Sequence, residues 1–206
     1  MRMGLTTSRR AWVGAAAVAL VVGVVAGCSG SGAKPGPSAS TASSAPTASP
    51  TPTPTASPTP DASVKPVRPA AMDQVSAAGA EAVAVYFLNL YPYVYASNDL
   101  TEWKALSHAD CVFCASVTGH VGEQIAAGTR SEGGLVSIST IGSTVINPGR
   151  WWSVDVELTQ ATSSTVDGAG QVVKDFPEVK AYKMNLAVVY EAEHWVVRGL
   201  DYTQTG

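Results

Sequence analysis

Hydrophobic and polar positions along the chain fall into three regimes of period, and each predicts a different kind of element. From Met72 to Ser97, Val75, Ala78, Ala82, Val83, Tyr86, Phe87, Leu90 and Val94 recur at spacings of three and four, which predicts a long amphipathic helix. Pro92 lies inside that pattern, and its ring removes a hydrogen bond, so a kink or the start of a second segment is expected there. Asn98-Asp99 breaks the helix, and Thr101 with Glu102 opens a short one over Leu100, Trp103 and Leu106. Asp110 is placed to cap a third helix carrying Cys111, Cys114, Val117, Val121 and Ile125, closed by Gly128 and Gly133-Gly134.

Beyond Gly134 the period falls to two. Val136, Ile138 and Thr140 alternate with Ser137, Ser139 and Ile141, and Asn147-Pro148-Gly149 makes a turn. In the next strand Trp152, Val154, Val156 and Leu158 face one way, while Ser153, Asp155, Glu157 and Thr159 face the other, so one side is buried and one is wet. Asp167-Gly168-Ala169-Gly170 reads as a hairpin turn, with Val172-Val173 beginning the return strand and Phe176-Pro177 marking a loop or bulge. Ala181 to Glu191 alternates again, with Tyr182, Met184, Leu186, Val188 and Tyr190 on one face, and Ala192-Glu193 turns it into a last strand from His194 to Tyr202. Helices followed by hairpin-linked strands predict an α+β domain over residues 71–206.

The first 70 residues have neither period. Arg9 and Arg10 precede an uncharged apolar run from Ala11 to Gly27, which ends at Val25-Ala26-Gly27-Cys28. This resembles the lipobox of bacterial lipoproteins. The resemblance implies cleavage between Gly27 and Cys28, a diacylglycerol thioether on Cys28, and two or three acyl chains such as palmitate, which suffice for stable anchoring without a membrane span. Ser8-Arg9-Arg10-Ala11-Trp12 also resembles a twin-arginine export signal, although an ordinary n-region holding two adjacent arginines is the plainer reading. Residues 28–70 read as a disordered tether. Ser29 to Ala70 holds 10 Pro, 9 Ser, 6 Thr and 8 Ala, from which no core can form. In polyproline II at ~3.1 Å per residue it would reach roughly 130 Å. Ser/Thr beside Pro is also the composition of O-glycosylated stalks.

Composition sharpens this division. The whole chain of 206 residues has a net charge of −3, but residues 71–206 carry 7 basic and 15 acidic side chains. So acidic a domain disfavours nucleic acid as a partner, and it should be repelled by the anionic membrane to which it is anchored. The expected address is the outer face of the cytoplasmic membrane, reached by the Sec or twin-arginine route.

Element order and the closing hairpin, Tyr182 to Tyr190 followed by Glu193 to Leu200, resemble the nuclear transport factor 2-like superfamily. That resemblance implies N-terminal helices packed on a curved, mostly antiparallel sheet that forms a cone around a pocket. In some relatives an Asp or His inside the cone transfers protons, whereas the inward positions identified here are apolar or aromatic. The lipobox, the tether and Leu106-Ser107 ahead of Cys111-Val112-Phe113-Cys114 further resemble a family of uncharacterised actinobacterial lipoproteins, which implies location and fold but no activity.

Chemistry is sparse. Cys111 and Cys114, three residues apart at a helix start, lie on one face, and an oxidising compartment favours a disulfide between them. A thiol-disulfide redox site is the rival reading, because a helix N-terminus lowers a thiol pKa; Asp110 beside Cys111 opposes it. His108, Cys111, Cys114 and His120 offer metal-ligand types, but four ligands on roughly one helix do not converge tetrahedrally, so no metal site is assigned. No phosphate loop, nucleophile elbow or metalloprotease motif occurs, so no catalytic residue is assigned and no cofactor is implied. His108, His120 and His194 read as surface or cap residues, and Asp155 and Glu157 as a solvated face. Tyr91, Tyr93 and Tyr95 are either core or the lining of a cleft. The function expected is a non-catalytic binding or accessory domain for an envelope protein, a wall polymer or a small apolar ligand. The alternative is an enzyme, either a redox protein using Cys111 and Cys114 or a proton-transfer catalyst in the cone.

Overall fold

A computed structural model describes residues 61–206; the expected signal peptide, Cys28 and most of the expected tether lie outside the described residues. A 3-10 turn, Ala70–Asp73, is followed by α1 (Ala77–Ser97), α2 (Thr101–Leu106) and α3 (Val112–Ala127). The strands are β1 (Arg130–Gly133), β2 (Val136–Asn147), β3 (Trp151–Gln160), β4 (Ser163–Val166), β5 (Val172–Phe176), β6 (Lys180–Glu191) and β7 (His194–Gln204). They form a four-stranded sheet in the order β2-β3-β6-β7 and a three-stranded sheet in the order β1-β4-β5, antiparallel throughout. The class is therefore α+β. Side-chain contacts reach back before residue 71: Ala62 is buried, the Lys65 ammonium lies 3.0 Å from Glu102, and Arg68 lies 2.7 Å from Asp73.

Ser76 opens α1, its hydroxyl accepting the Gly79 N–H at 3.2 Å, and Asn98 closes it in the left-handed conformation at φ 60°. Twelve of the 21 residues of α1 are buried, so the helix is central and not merely amphipathic. No second segment starts at Pro92. Leu88, Leu90, Tyr93 and Val94 are buried on both sides of it, and their packing outweighs the ~3 kcal/mol cost of an interior proline.

The start of α3 also differs from expectation. Cys111, not Asp110, is the N-cap, its sulfur accepting the Cys114 N–H at 3.2 Å. Asp110 instead accepts from Arg198 at 2.9 Å, which ties the approach to α3 onto β7.

The large sheet pairs apolar residues with apolar residues. Val154 faces Leu186 and Leu186 faces Leu200, while Trp152 faces Val188, all of them buried. In β2 a bulge between Ile138 and Thr140 reverses the expected alternation. Ile141, opposite Val156, packs against the core where Thr140 was expected to share the face of Ile138. Two indole N–H groups fasten the helical layer. Trp195 on β7 donates to the Met72 carbonyl at 2.8 Å, and Trp103 on α2 donates to the Cys114 carbonyl at 3.1 Å.

Candidate functional site

Helical spacing puts Tyr91 and Tyr95, four residues apart, on one side of α1 with ring centroids 5.1 Å apart. Tyr93 turns the other way, is 8% exposed, and donates its hydroxyl to Asp99 at 2.9 Å. Of the three tyrosines, two line a cleft and one is core. Behind Tyr91, the Trp103 ring stacks on Phe87 at 4.1 Å and is fully buried. Phe113, on the first turn of α3, lies 6.1 Å from Tyr91 and 6.1 Å from Tyr202 of β7, and Tyr182 of β6 lies 5.8 Å from Tyr202.

These rings wall a half-open inner cavity of about 100 Å³ between α1, α2, α3 and the large sheet, with Met184 and Gln160 also on its lining. A wider outer groove of about 500 Å³ adjoins it, lined among others by Tyr95, His120, Gln124, Lys174, Glu178 and Lys180. Tyr91, Gln160 and Tyr182 line both spaces, so the inner cavity and the outer groove are two parts of one cleft.

Gln124 braces the groove. Its amide donates to the Tyr95 carbonyl at 3.0 Å and to the Asn98 side chain at 3.2 Å, and it accepts from Ser131 at 2.8 Å. It thereby fixes the end of α1, the last turns of α3 and β1 relative to one another. The Gln160 amide makes no side-chain hydrogen bond among the described residues, which leaves its donors and acceptor free at the junction of the two spaces.

Burial raises the pKa of the Tyr91 and Tyr182 hydroxyls. Tyr95 is raised further, first by burial and then by its neighbours Tyr91 and Glu123. All three remain neutral hydrogen-bond donors near neutral pH. Among the described residues no carboxylate or imidazole is buried, and the inner cavity is lined by none.

The other residues singled out in the sequence lie elsewhere or are already engaged. Cys111 and Cys114 form a disulfide with Cα atoms 5.2 Å apart, and at 1% and 2% exposure neither sulfur is open to an incoming thiolate. Between them Val112 is 83% exposed while Phe113 turns inward, so the bridge frames the ring that walls the cavity. His108 lies 3.3 Å from Glu191 and 3.6 Å from Asp110. His120, further along α3 than the cysteine pair, stands in the outer groove with Nδ1 3.5 Å from the Tyr95 hydroxyl. His194 contacts the Ala192 carbonyl in the β6–β7 turn at 3.0 Å. Asp155 accepts from Asn185 at 2.7 Å, and Glu157 pairs with Lys183 at 2.8 Å, outside the cleft.

The sequence reading missed Gln160, Tyr202, Lys174 and Lys180 as cleft residues. For Gln160 a signal existed: carrying the Trp152, Val154, Val156, Leu158 alternation two residues further reaches it. Tyr202 follows similarly from Met184, its cross-strand partner. Lys180 follows likewise, two residues before Tyr182 on β6, whereas Lys174 had no such signal, because the three-stranded sheet that carries it has no apolar period.

No curated protein matches the chain. Among solved structures, the intermembrane space region of chloroplast protein ARC6 is similar with 12% identity and a TM-score of 0.50, covering 64% of this chain and 99% of that one. An uncharacterized protein with a cystatin-like fold from Caulobacter vibrioides is similar with 14% identity and a TM-score of 0.39, covering 60% and 88%. At such identities the likeness concerns the fold alone. A family model does match, over residues 52–201. The chain belongs to that family, the Family of unknown function (DUF6318).

Proposed function

We propose that this protein is a non-catalytic binding domain, exported and held at the outer face of the cytoplasmic membrane by lipid on Cys28, that takes a ligand with an apolar end into the aromatic cleft. The observation that carries this reading is the cleft itself. Its inner part is walled by Tyr91, Trp103, Phe113, Met184, Tyr182 and Tyr202, with no acid or base except tyrosine hydroxyls that burial makes weaker acids. Apolar walls with one free amide at the rim bind and orient; they supply no group to move a proton at neutral pH.

The address rests on the order of Arg9-Arg10, the apolar run and Gly27-Cys28, which is that of a lipoprotein signal. Among the described residues no helix is long and apolar enough to cross a membrane. The nuclear transport factor 2-like arrangement is supported by three helices preceding antiparallel strands and by a pocket between the two layers. Actinobacterial lipoproteins of that design are the relatives we infer.

1-Hexanol, a small neutral alcohol with a short alkyl chain, tests the cleft. In a ¹H–¹⁵N spectrum of the mature protein it should move the Trp103 indole signal and the amides of Phe113, Tyr182 and Tyr202. Shifts confined to other surfaces, or none at millimolar concentration, would overturn the binding reading. Fractionation tests the anchor: Cys28→Ser should release the protein from membranes and remove acyl mass from the mature chain, and a variant still membrane-bound without acyl groups rejects it.

A further inference from the structure

We infer that the ligand of the cleft is an anionic amphiphile, a compact apolar group joined to a carboxylate or phosphate; this rests on the binding reading above and gives it a chemical class. Three observations converge on it. The first is size. The inner cavity, about 100 Å³, is smaller than the roughly 150 Å³ cavity that accepts benzene in an engineered protein core. It therefore takes a short alkyl chain or a small branched group and not a fused ring system.

The second is continuity. Tyr91, Gln160 and Tyr182 belong to both the inner cavity and the fivefold larger outer groove, so a molecule seated in the first must lead its other end into the second. The character changes between them: the inner walls are aromatic and aliphatic, whereas the outer groove adds Gln124, Ser131, Ser163 and Thr165 to Tyr95 and Phe176. Gln160, half-buried at the junction and free of side-chain partners among the described residues, is placed to bond the linking polar group.

The third is charge. Residues 71–206 have more than twice as many acidic as basic side chains, yet two of the seven basic ones, Lys174 and Lys180, line the groove. Neither makes an ion pair with a described residue, whereas Arg130, Lys183 and Arg198 do. Lys174 lies over the Phe176 ring at 4.7 Å, which keeps its ammonium at the groove wall. Glu178 also lines the groove, so its two lysines outnumber its one carboxylate. An anionic head meets that charge at the mouth of an acidic domain, and a cationic head would instead be drawn to the rest of the surface.

The test compares hexyl phosphate, hexanoate, 1-hexanol and hexylammonium, which share one chain and differ in head group. Each is titrated at low salt into the mature protein carrying Cys28→Ser, with binding followed at the Trp103 indole signal. Both anions should bind roughly tenfold more tightly than 1-hexanol, with the advantage lost in Lys174→Gln/Lys180→Gln and reduced by salt. Hexylammonium should bind no better than 1-hexanol. Equal affinity for all four heads, or an anion preference that survives the double substitution, overturns the anionic class while leaving the cleft as a binding site. Failure of every probe to move the Trp103 signal overturns the binding reading itself. Inorganic phosphate serves as the headgroup control; if it binds as tightly as hexyl phosphate, the apolar end contributes nothing and the amphiphile is rejected.

Discussion

The Trp103 indole N–H donates to the Cys114 backbone carbonyl at 3.1 Å, and both residues are buried. The same carbonyl accepts the Thr118 hydroxyl at 3.0 Å. Through this one oxygen the wall of the cleft on α2 is fastened to the disulfide-capped start of α3. Trp103→Phe keeps an aromatic ring but loses the bond and some packing, and should cost about 2 kcal/mol. Chemical denaturation checks the cost, and probe affinity should fall with it because the ring is also a cavity wall.

Reduction of Cys111–Cys114 should matter locally more than globally. A bridge closing so short a loop stabilises by no more than about 2 kcal/mol in the chain-entropy model. Cys111→Ser/Cys114→Ser should therefore fold, with a Tm lower by roughly 5 °C. Phe113 sits between the two cysteines, so the greater loss should be in probe binding. A calorimetric scan and the 1-hexanol titration, run on the same variant, separate the two effects.

Gly79 reverses the usual rule for a helical glycine. Alanine ordinarily stabilises a helix interior by 0.5 to about 1 kcal/mol relative to glycine. Here a Cβ would collide with the Gln74 backbone carbonyl and lie 3.1 Å from the Trp195 ring. Gly79→Ala should be destabilising by about 1–3 kcal/mol, the range for overpacking, and a stabilised variant would show that the approach of the 3-10 turn to α1 is misplaced.

Asp99 gives the domain an acid-side pH dependence. Its carboxylate accepts from the Thr101 N–H and the Tyr93 hydroxyl, each at 2.9 Å, and these bonds, the Thr101 ones first, hold its pKa down to about 2. The ordinary value in an unfolded chain is about 3.9. A depressed carboxylate stabilises fully above its unfolded pKa and loses that contribution as pH falls through the folded one, so the window is from about pH 4 to about pH 2. The upper bound is about 3 kcal/mol, reduced by solvent screening at this partly exposed group. Asp99→Asn should flatten the urea midpoint across that window and leave its pH dependence near neutrality unchanged.

Most of the large sheet was legible because its strands alternate cleanly: Trp152 to Leu158 and Tyr182 to Tyr190 bury one face, and period two reports that directly. The small sheet was legible only at its hairpin, where Asp167-Gly168-Ala169-Gly170 and Val172-Val173 announce the turn and β5. Arg130-Ser131-Glu132-Gly133 and Ser163-Ser164-Thr165-Val166 contain a single apolar residue between them, so backbone pairing alone makes them strands and no side-chain period announces it. The bulge in β2 was hidden for a related reason, since one unpaired residue shifts Ile141 to the core without altering composition. The α3 cap was misassigned because Asp is the better capping residue in general; here Asp110 is drawn to Arg198 and the disulfide sulfur takes the position. The cleft was half visible. Tyr91 and Tyr95 stood out by spacing, but their partners Phe113 and Tyr202 come from elements 89 residues apart in sequence, and only the fold brings them together.

The central claim is that the cleft between the helices and the large sheet holds a ligand, and Trp103 reports on it from inside. In mature protein carrying Cys28→Ser and labelled with 5-fluorotryptophan, the ¹⁹F resonance of Trp103 is assigned by its disappearance in Trp103→Phe. Titration with hexyl phosphate should shift that resonance saturably while Trp151, 40% exposed on the other side of β3 from Trp152, stays in place. A Trp103 resonance that does not move, or one that moves only in step with Trp151 and without saturation, would contradict the account.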